Sequence, residues 1–147
     1  MTRIKRSALV SHSDRSMYDL VNDVSNYPSF MEGCCGVEVF EHTCQTMLAR
    51  LDLKKAGVSL SLMTRNQLQA PSQIKMTLED RPFKTFRGGW AFTALTESAC
   101  KVELDLEFDF KSRGLSFAAS NLFSGVANNL VDSLCQRANQ VYGSKND

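Results

Sequence analysis

Apolar positions along this chain change period three times, from two to about 3.6, back to two, and again to about 3.6. In residues 3–11 Ile4, Ala8 and Val10 fall on one side and Arg3, Lys5 and Ser7 on the other. That alternation predicts a strand, interrupted on its apolar side by Arg6. Met17, Leu20, Val21 and Val24 then recur at helical spacing behind Ser13 or Asp14 as N-cap. A helix of two to three turns is expected, stopped at Asn26-Tyr27-Pro28 because the residue before proline resists the α region. Ser29-Phe30-Met31 forms a further turn, and 32–36 (Glu-Gly-Cys-Cys-Gly) reads as a loop.

Extended segments follow at 37–43, 47–54, 58–69, 74–79 and 85–95, with turn chemistry at Ala56-Gly57 and at Ala70-Pro71-Ser72. Gly88-Gly89 inside the last of them predicts a bulge or sharp bend. The clearest strand is 100–111. Val102, Leu104, Leu106, Phe108 and Phe110 share one face; Glu103, Asp105, Glu107 and Asp109 lie on the other between Lys101 and Lys111. Only a sheet with one wet and one buried face asks for this pattern. Arg3 and Lys5 would face the carboxylates if the first strand lies alongside.

Past Gly114 the period returns to 3.6, and Leu115–Tyr142 reads as one amphipathic helix roughly 40 Å long. Its stripe includes Leu122, Phe123, Val126, Leu130, Leu134 and Ala138, and between Asn121 and Cys135 only Asp132 is ionised. The expected order is strand, one or two short helices, six strands, long helix. Short turns between strands imply an antiparallel meander. The fold class is α+β: a seven-stranded curved antiparallel sheet wrapped around a long C-terminal helix, one domain over 1–147. A sheet that curls over a helix leaves a gap between the two. A ligand cavity and a gap filled by bulky side chains both fit the pattern.

Composition narrows the function classes. A chain of 147 residues with 43% hydrophobic residues and net charge +1 offers no global attraction for nucleic acid or anionic lipid. No apolar run approaches the ~20 residues that span a bilayer, and the N-terminus lacks a secretory h-region. Five cysteines at irregular spacing suit reduced thiols in a cytoplasm. No metal-ligand spacing is present. His12 and His42 lie far apart and read as surface or strand-end residues, off the apolar face. There is no nucleophile elbow, HExxH or glycine-rich phosphate loop, so no catalytic residue is assigned and no enzyme activity is expected.

The order of elements is that of the helix-grip fold. Tyr27-Pro28-Ser29-Phe30 followed by Cys34 resembles a segment of the coenzyme Q-binding, START-like (polyketide cyclase/dehydrase) family. Lys55-Ala56-Gly57-Val58, Thr64-Arg65-Asn66-Gln67-Leu68, Pro82-Phe83-Lys84 and Gly88-Gly89-Trp90 before Phe92 resemble its bacterial ribosome association toxin branch. Glu32-Gly33 stands where many relatives carry Pro-Trp, which places a charge near the expected pocket mouth. The resemblance implies a cytoplasmic protein that binds the large ribosomal subunit and inhibits subunit association, with a small antitoxin-like protein as a further partner. The related branch implies binding of ubiquinone or another isoprenoid or apolar lipid in support of respiration; no cofactor is required. A cyclase or aromatase is the third reading.

Residue by residue, Trp90, Phe92 and Phe108 are expected to line a cavity from the sheet, or simply to fill the core. Phe117, Leu122, Phe123 and Val126 would form its helical wall, or simply pack the helix on the sheet, and Gly125 would permit a bend, a close approach to the sheet or the passage of an apolar ligand tail. Tyr27, Phe30 and Met31 would gate the open end or seat the short helix. Asn66, among Leu60 and Leu62, would bond a ligand's polar head or a neighbouring backbone. Lys54, Lys55, Arg65, Lys84 and Arg87 are the candidates for phosphate contact on ribosomal RNA.

Overall fold

The computed structural model describes the backbone of residues 2–78, 83–110 and 113–143, and the side chains of these except residues 78, 83, 84, 110 and 113–116. The elements are β1 (Thr2–Val10), α1 (Asp14–Asn22), a 3-10 turn (Val24–Ser29), β2 (Cys34–His42), β3 (Thr46–Lys55), β4 (Val58–Gln69), β5 (Gln73–Leu78), β6 (Phe83–Thr96), β7 (Ala99–Phe110) and α2 (Arg113–Tyr142). All strands pair antiparallel in one seven-stranded sheet of order β1-β7-β6-β5-β4-β3-β2. The meander is complete from β2 to β7, and β1 returns to lie on the free edge of β7.

The period-2 pattern is realised strand by strand. Val102, Leu104, Leu106 and Phe108 of β7 are buried under the helices, and Asp105 and Glu107 face outward. Arg3 places Nη2 at 2.9 Å from Asp105 Oδ2 and Nε at 4.0 Å from Glu107 Oε1, as the charge pattern anticipates. The hydrogen bond from Arg3 holds the Asp105 carboxyl below its ordinary value. The inner faces of β3 and β4 add Met47, Ala49, Leu53, Leu62, Thr64, Asn66 and Leu68. Leu122, Phe123, Ala127, Val131, Leu134 and Ala138 of α2 cover this concave face. Arg6, the charge on the apolar side of β1, directs Nε to Asn128 Oδ1 of α2 at 3.3 Å.

α1 starts as its capping chemistry requires: Ser13 Oγ accepts the Ser16 N–H at 3.0 Å. It ends at Asn22, well before Pro28, because Asp23 leaves helical geometry with φ −85° and ψ 63°. The next residues, including Pro28, form the 3-10 turn instead. Tyr18 sets its ring edge against Phe92 at 5.8 Å and so fastens α1 to β6.

Three expectations are corrected. The segment 32–36 is not all loop: β2 begins at Cys34, whose side chain packs inward and whose backbone opposes Leu53. Gly88-Gly89 makes no bulge against β7. Pairing runs unbroken through Gly88↔Leu106 and Gly89↔Asp105, and the irregularities of β6 lie at Phe83/Thr85 and Ala94/Thr96. The glycines answer to crowding. A Cβ on Gly88 would run into the Leu106 side chain, and one on Gly89 would lie 2.8 Å from the Ile74 carbonyl oxygen. Of the two expectations for His12, strand end holds and surface does not. It is buried just past β1, with Nε2 2.8 Å from Asn139 Oδ1 and its ring 5.8 Å from that of Tyr142, so it ties the end of β1 to the last turn of α2. His42, at the end of β2, is exposed as expected.

Candidate functional site: a groove between the long helix and the β3–β4 turn

The two-residue turn between β3 and β4 is built from Ala56 at φ 52° and Gly57 at φ 80°. Two consecutive positive φ values give the primed hairpin turn whose twist matches the flanking strands. The hairpin end therefore projects beside α2 and does not collapse onto it. Gly33 lies on the other side. Its φ of +93° and its position, where a Cβ would stand 2.8 Å from Val126 Cγ2, press the loop before β2 against α2. Its carbonyl accepts the Lys54 N–H at 2.9 Å, which joins that loop to the end of β3.

Between these pieces lies a groove of about 440 Å3. Ala56 and Val58 form one wall, and Ala118, Leu122, Gly125 and Val126 of α2 form the other. Asn121 and Asn129 supply amides, and Phe117 stands at the rim, 73% exposed. Across the mouth Lys55 Nζ meets Glu32 Oε1 at 3.2 Å. Both side chains are well exposed, so this pair contributes little stability but sets the polarity of the entrance. Gly125 has no protein atom within 4 Å of where a Cβ would be. It opens the floor of the groove.

Chemically, this arrangement suits an apolar body with a polar end. Among the described residues no cluster of three or more His, Cys, Asp or Glu side chains stands at metal-holding distance. Burial pushes the Cys100 thiol up to about 11 and also raises the Cys34 thiol and the Tyr27 phenol. None of these is poised as a nucleophile or base at neutral pH.

Leu122 and Val126, expected on the helical wall, do line the groove, and Leu60 lies half-buried two positions beyond Val58. The remaining cavity candidates lie in or against the packed core. Trp90 stacks on Phe92 with ring centroids 6.2 Å apart, and Phe108 meets Phe123 edge to face at 4.7 Å. Leu62 and Met31 are buried. Tyr27 donates its hydroxyl to the Val21 carbonyl, and Phe30 packs on Tyr27 at 5.7 Å and under Arg137 at 5.4 Å. Tyr27 and Phe30 thus seat the 3-10 turn, away from the groove. Asn66 is 7% exposed on the concave face, and its Oδ1 has no hydrogen-bond partner among the described residues.

The basic candidates separate into two places. Lys54 and Lys55 stand just before the β3–β4 turn, and of the two only Lys55 lines the groove. Arg65 and Arg87 lie on the convex face, where Arg65 pairs with Glu41 at 3.4 Å and Arg87 with Glu107 at 3.3 Å. The Lys84 side chain lies outside the described residues. Sequence reasoning had not singled out Ala118, Asn121 or Asn129. The signal was present: 118, 121, 122, 125, 126 and 129 share one face of α2 with a glycine and two asparagines, a surface too polar for core and too uncharged for open solvent.

The sequence profile of the polyketide cyclase / dehydrase and lipid transport family matches residues 10–135. The ribosome association toxin RatA of Vibrio cholerae is 49% identical over 97% of this chain and 99% of that protein. The persistence and stress-resistance toxin PasT of Escherichia coli is 43% identical over 99% of this chain and 92% of that protein. The mitochondrial coenzyme Q-binding protein of Drosophila melanogaster is 26% identical over 93% of this chain and 55% of that protein. Among solved structures, the ZhuI aromatase/cyclase of a Streptomyces species superposes with a TM-score of 0.79 at 16% identity, covering 95% of this chain and 94% of that one. The last shows the fold alone; the three sequence relatives bear the names of two toxins and a coenzyme Q-binding protein. On its profile match and on identity running the full length of the toxins, the chain belongs to the START-like polyketide cyclase/dehydrase and lipid transport family, in its ribosome association toxin group.

Proposed function

We propose that this protein acts as a ribosome association toxin: it binds the large ribosomal subunit in the cytoplasm and hinders its joining to the small one, with no bond-making chemistry. The observation that carries the reading is 49% identity with the Vibrio cholerae toxin across nearly the whole of both chains. The convex face of the sheet is the surface we assign to the ribosome. Arg65 opposes Thr77 in one row across the strands, and Arg87 opposes Glu107, which opposes Arg3. In the adjacent row Lys75 opposes Gly89, Gly89 opposes Asp105, and Asp105 opposes Lys5. A depression of about 530 Å3 lies over Gly89, lined by Lys5, Lys75 and Arg87 and also by Glu103, Asp105 and Glu107. Lys75 makes no ion pair among the described residues, so its charge is available to phosphate.

Sucrose-gradient sedimentation with purified subunits tests this. Co-migration with the large subunit and fewer joined ribosomes are expected, both weakened by Lys75→Glu. Absence of co-migration together with unchanged joining removes the reading.

A second reading has its own support. The groove beside α2 is apolar, and the distant relative from Drosophila is a coenzyme Q-binding protein. In this reading the groove holds an isoprenoid quinone or a similar lipid. Titration of purified protein with decylubiquinone, followed by Trp90 fluorescence, tests it. No saturable change, and no lipid extractable from the protein, would count against it.

A further inference from the structure

The sheet has two outer strands, and they are not alike. β2 is broken by register shifts at Cys34/Gly36 and Val39/Glu41, and the 3-10 turn packs against it. β1 pairs with β7 at every position from Thr2↔Phe108 to Val10↔Cys100 without a shift. Its other side meets no further strand, and among the described residues none of its backbone groups bonds outside the sheet. It contains no proline. A straight, unbroken edge of this kind presents a row of alternating N–H and C=O groups to any extended chain that arrives. Thr2, Arg3, Lys5, Arg6, Ser7 and Leu9 are exposed, Leu9 at 73%.

The charges on this edge are unevenly satisfied. Arg3 holds both oxygens of the Asp105 carboxyl, Nε to Oδ1 at 3.1 Å and Nη2 to Oδ2 at 2.9 Å. Asp105 is the residue directly across from Lys5. The guanidinium fork therefore occupies the carboxylate that Lys5 would otherwise meet. Lys5 is left with no ion pair among the described residues. Arg6 points to the opposite side of the strand, where its partner is the neutral amide of Asn128 at 3.3 Å. Two adjacent cations, one on each side of the sheet, thus stand on a free edge without a carboxylate of their own. Antiparallel pairing of this stretch with a second copy would set Lys5 against Arg6, cation on cation. The charges that turn away a like strand select an acidic one.

We propose that the free edge of β1 is a docking site for an extended, acidic segment of a partner protein, which adds to the sheet as a further antiparallel strand. The direction is that of every other pairing in the sheet. In that direction the residue across from Leu9 is followed three positions on by the one across from Arg6, and next by the one across from Lys5. The segment therefore reads as an apolar residue, two unrestricted positions, then two consecutive acids on opposite faces. RNA fits this edge less well. Carbonyl oxygens between the cations repel phosphate, and two free cations fall short of the several phosphates that RNA contacts neutralise together. The inference rests on neither reading of function above, although a segment bound here would draw Lys5 away from the convex face.

The test is fluorescence anisotropy of a labelled peptide, Leu-Val-Thr-Glu-Glu-Val-Thr, titrated with the full chain. Saturable binding is expected, and the same peptide with Lys-Lys in place of Glu-Glu should not bind. Lys5→Glu and Arg6→Glu should each weaken binding roughly 2- to 30-fold, the range for turning an exposed attraction into a repulsion. Arg15→Glu, on α1, should leave it unchanged. The variant carrying both reversals should accept the Lys-Lys peptide, which shows that its fold is intact. N-methylation of the peptide residues whose N–H groups face β1 should abolish binding, whereas methylation of the alternate set should not. No saturable binding of the acidic peptide, equal binding of the Lys-Lys peptide, or two methylated peptides that behave alike overturns the proposal. A polyuridine oligonucleotide that binds more tightly than the acidic peptide, and is weakened by the same reversals, assigns the edge to RNA and also overturns it. A concentration-dependent dimer that excludes the peptide assigns the edge to a second copy, with the same result.

Discussion

Gly33 is packed so tightly on α2 that a Cβ in its place would stand 2.8 Å from Val126 Cγ2. Its φ of +93° is also a conformation that L side chains rarely adopt. Steric and backbone constraints therefore act on one residue, at the point where the loop carrying Glu32 meets the groove. Gly33→Ala is expected to destabilise the fold by about 1–3 kcal/mol. It should also change the groove, because the loop can relieve the clash only by moving away from Val126. Urea denaturation with decylubiquinone titration reads both effects. An unchanged midpoint would mean that the loop is free to shift.

Gly125 is the opposite case. It sits in the interior of α2 with nothing within 4 Å of a Cβ position. Gly125→Ala should raise stability by about 1 kcal/mol, the ordinary helix-propensity difference, with no packing cost to offset it. Thermal unfolding measures it. A loss of stability would show that the groove is narrower in solution than its geometry indicates.

Asn66, two positions from buried Thr64, places on the inner face of β4 a buried amide oxygen without a hydrogen bond among the described residues, between Met47 of β3 and Met76 of β5 in register. An unsatisfied buried acceptor is costly, and methionine neighbours adapt readily to a changed shape. Asn66→Leu should therefore stabilise the ligand-free protein by about 1 kcal/mol. Chemical denaturation of the delipidated protein checks this. Destabilisation would show that the amide finds a partner in solution.

The cysteines divide by environment. Cys35 and Cys44 are exposed, whereas Cys34 and Cys100 are buried. Ellman's reagent at neutral pH should titrate Cys35 and Cys44 quickly and reach Cys34 and Cys100 only in denaturant. Burial raises the Cys100 thiol from 9.0 to about 11. A raised folded pKa means that this group's contribution to stability is complete below the unfolded value. It is lost as pH climbs from about 9 toward about 11, because the unfolded chain ionises first. Cys100→Ala should flatten the alkaline arm of the stability profile over that window.

The number and order of the strands, the solvent face of β7, the Ser13 cap and the extent of α2 could all be read from sequence. Each is decided within a dozen residues by side-chain period or by a local hydrogen bond. The pairing of Arg3 with Asp105 was also foreseeable, since a basic strand face and an acidic one have few other places to go. Other features depended on what arrives from far along the chain. Gly88 and Gly89 carry the same local signal as a bulge, yet they serve close packing against Leu106 and Ile74. His12 is polar and follows a strand, yet Asn139, 127 positions later, buries it. The groove belongs to this second class. Phe117, Gly125 and Val126 on the helix, Ala56 on the hairpin and Gly33 in the loop are distant in sequence, and the helix residues by themselves fit a cavity wall and ordinary packing alike. Periodicity specifies which face of each element is apolar. Only the approach of α2, the β3–β4 turn and the loop before β2 decides how much of that apolar surface is covered and how much is left open.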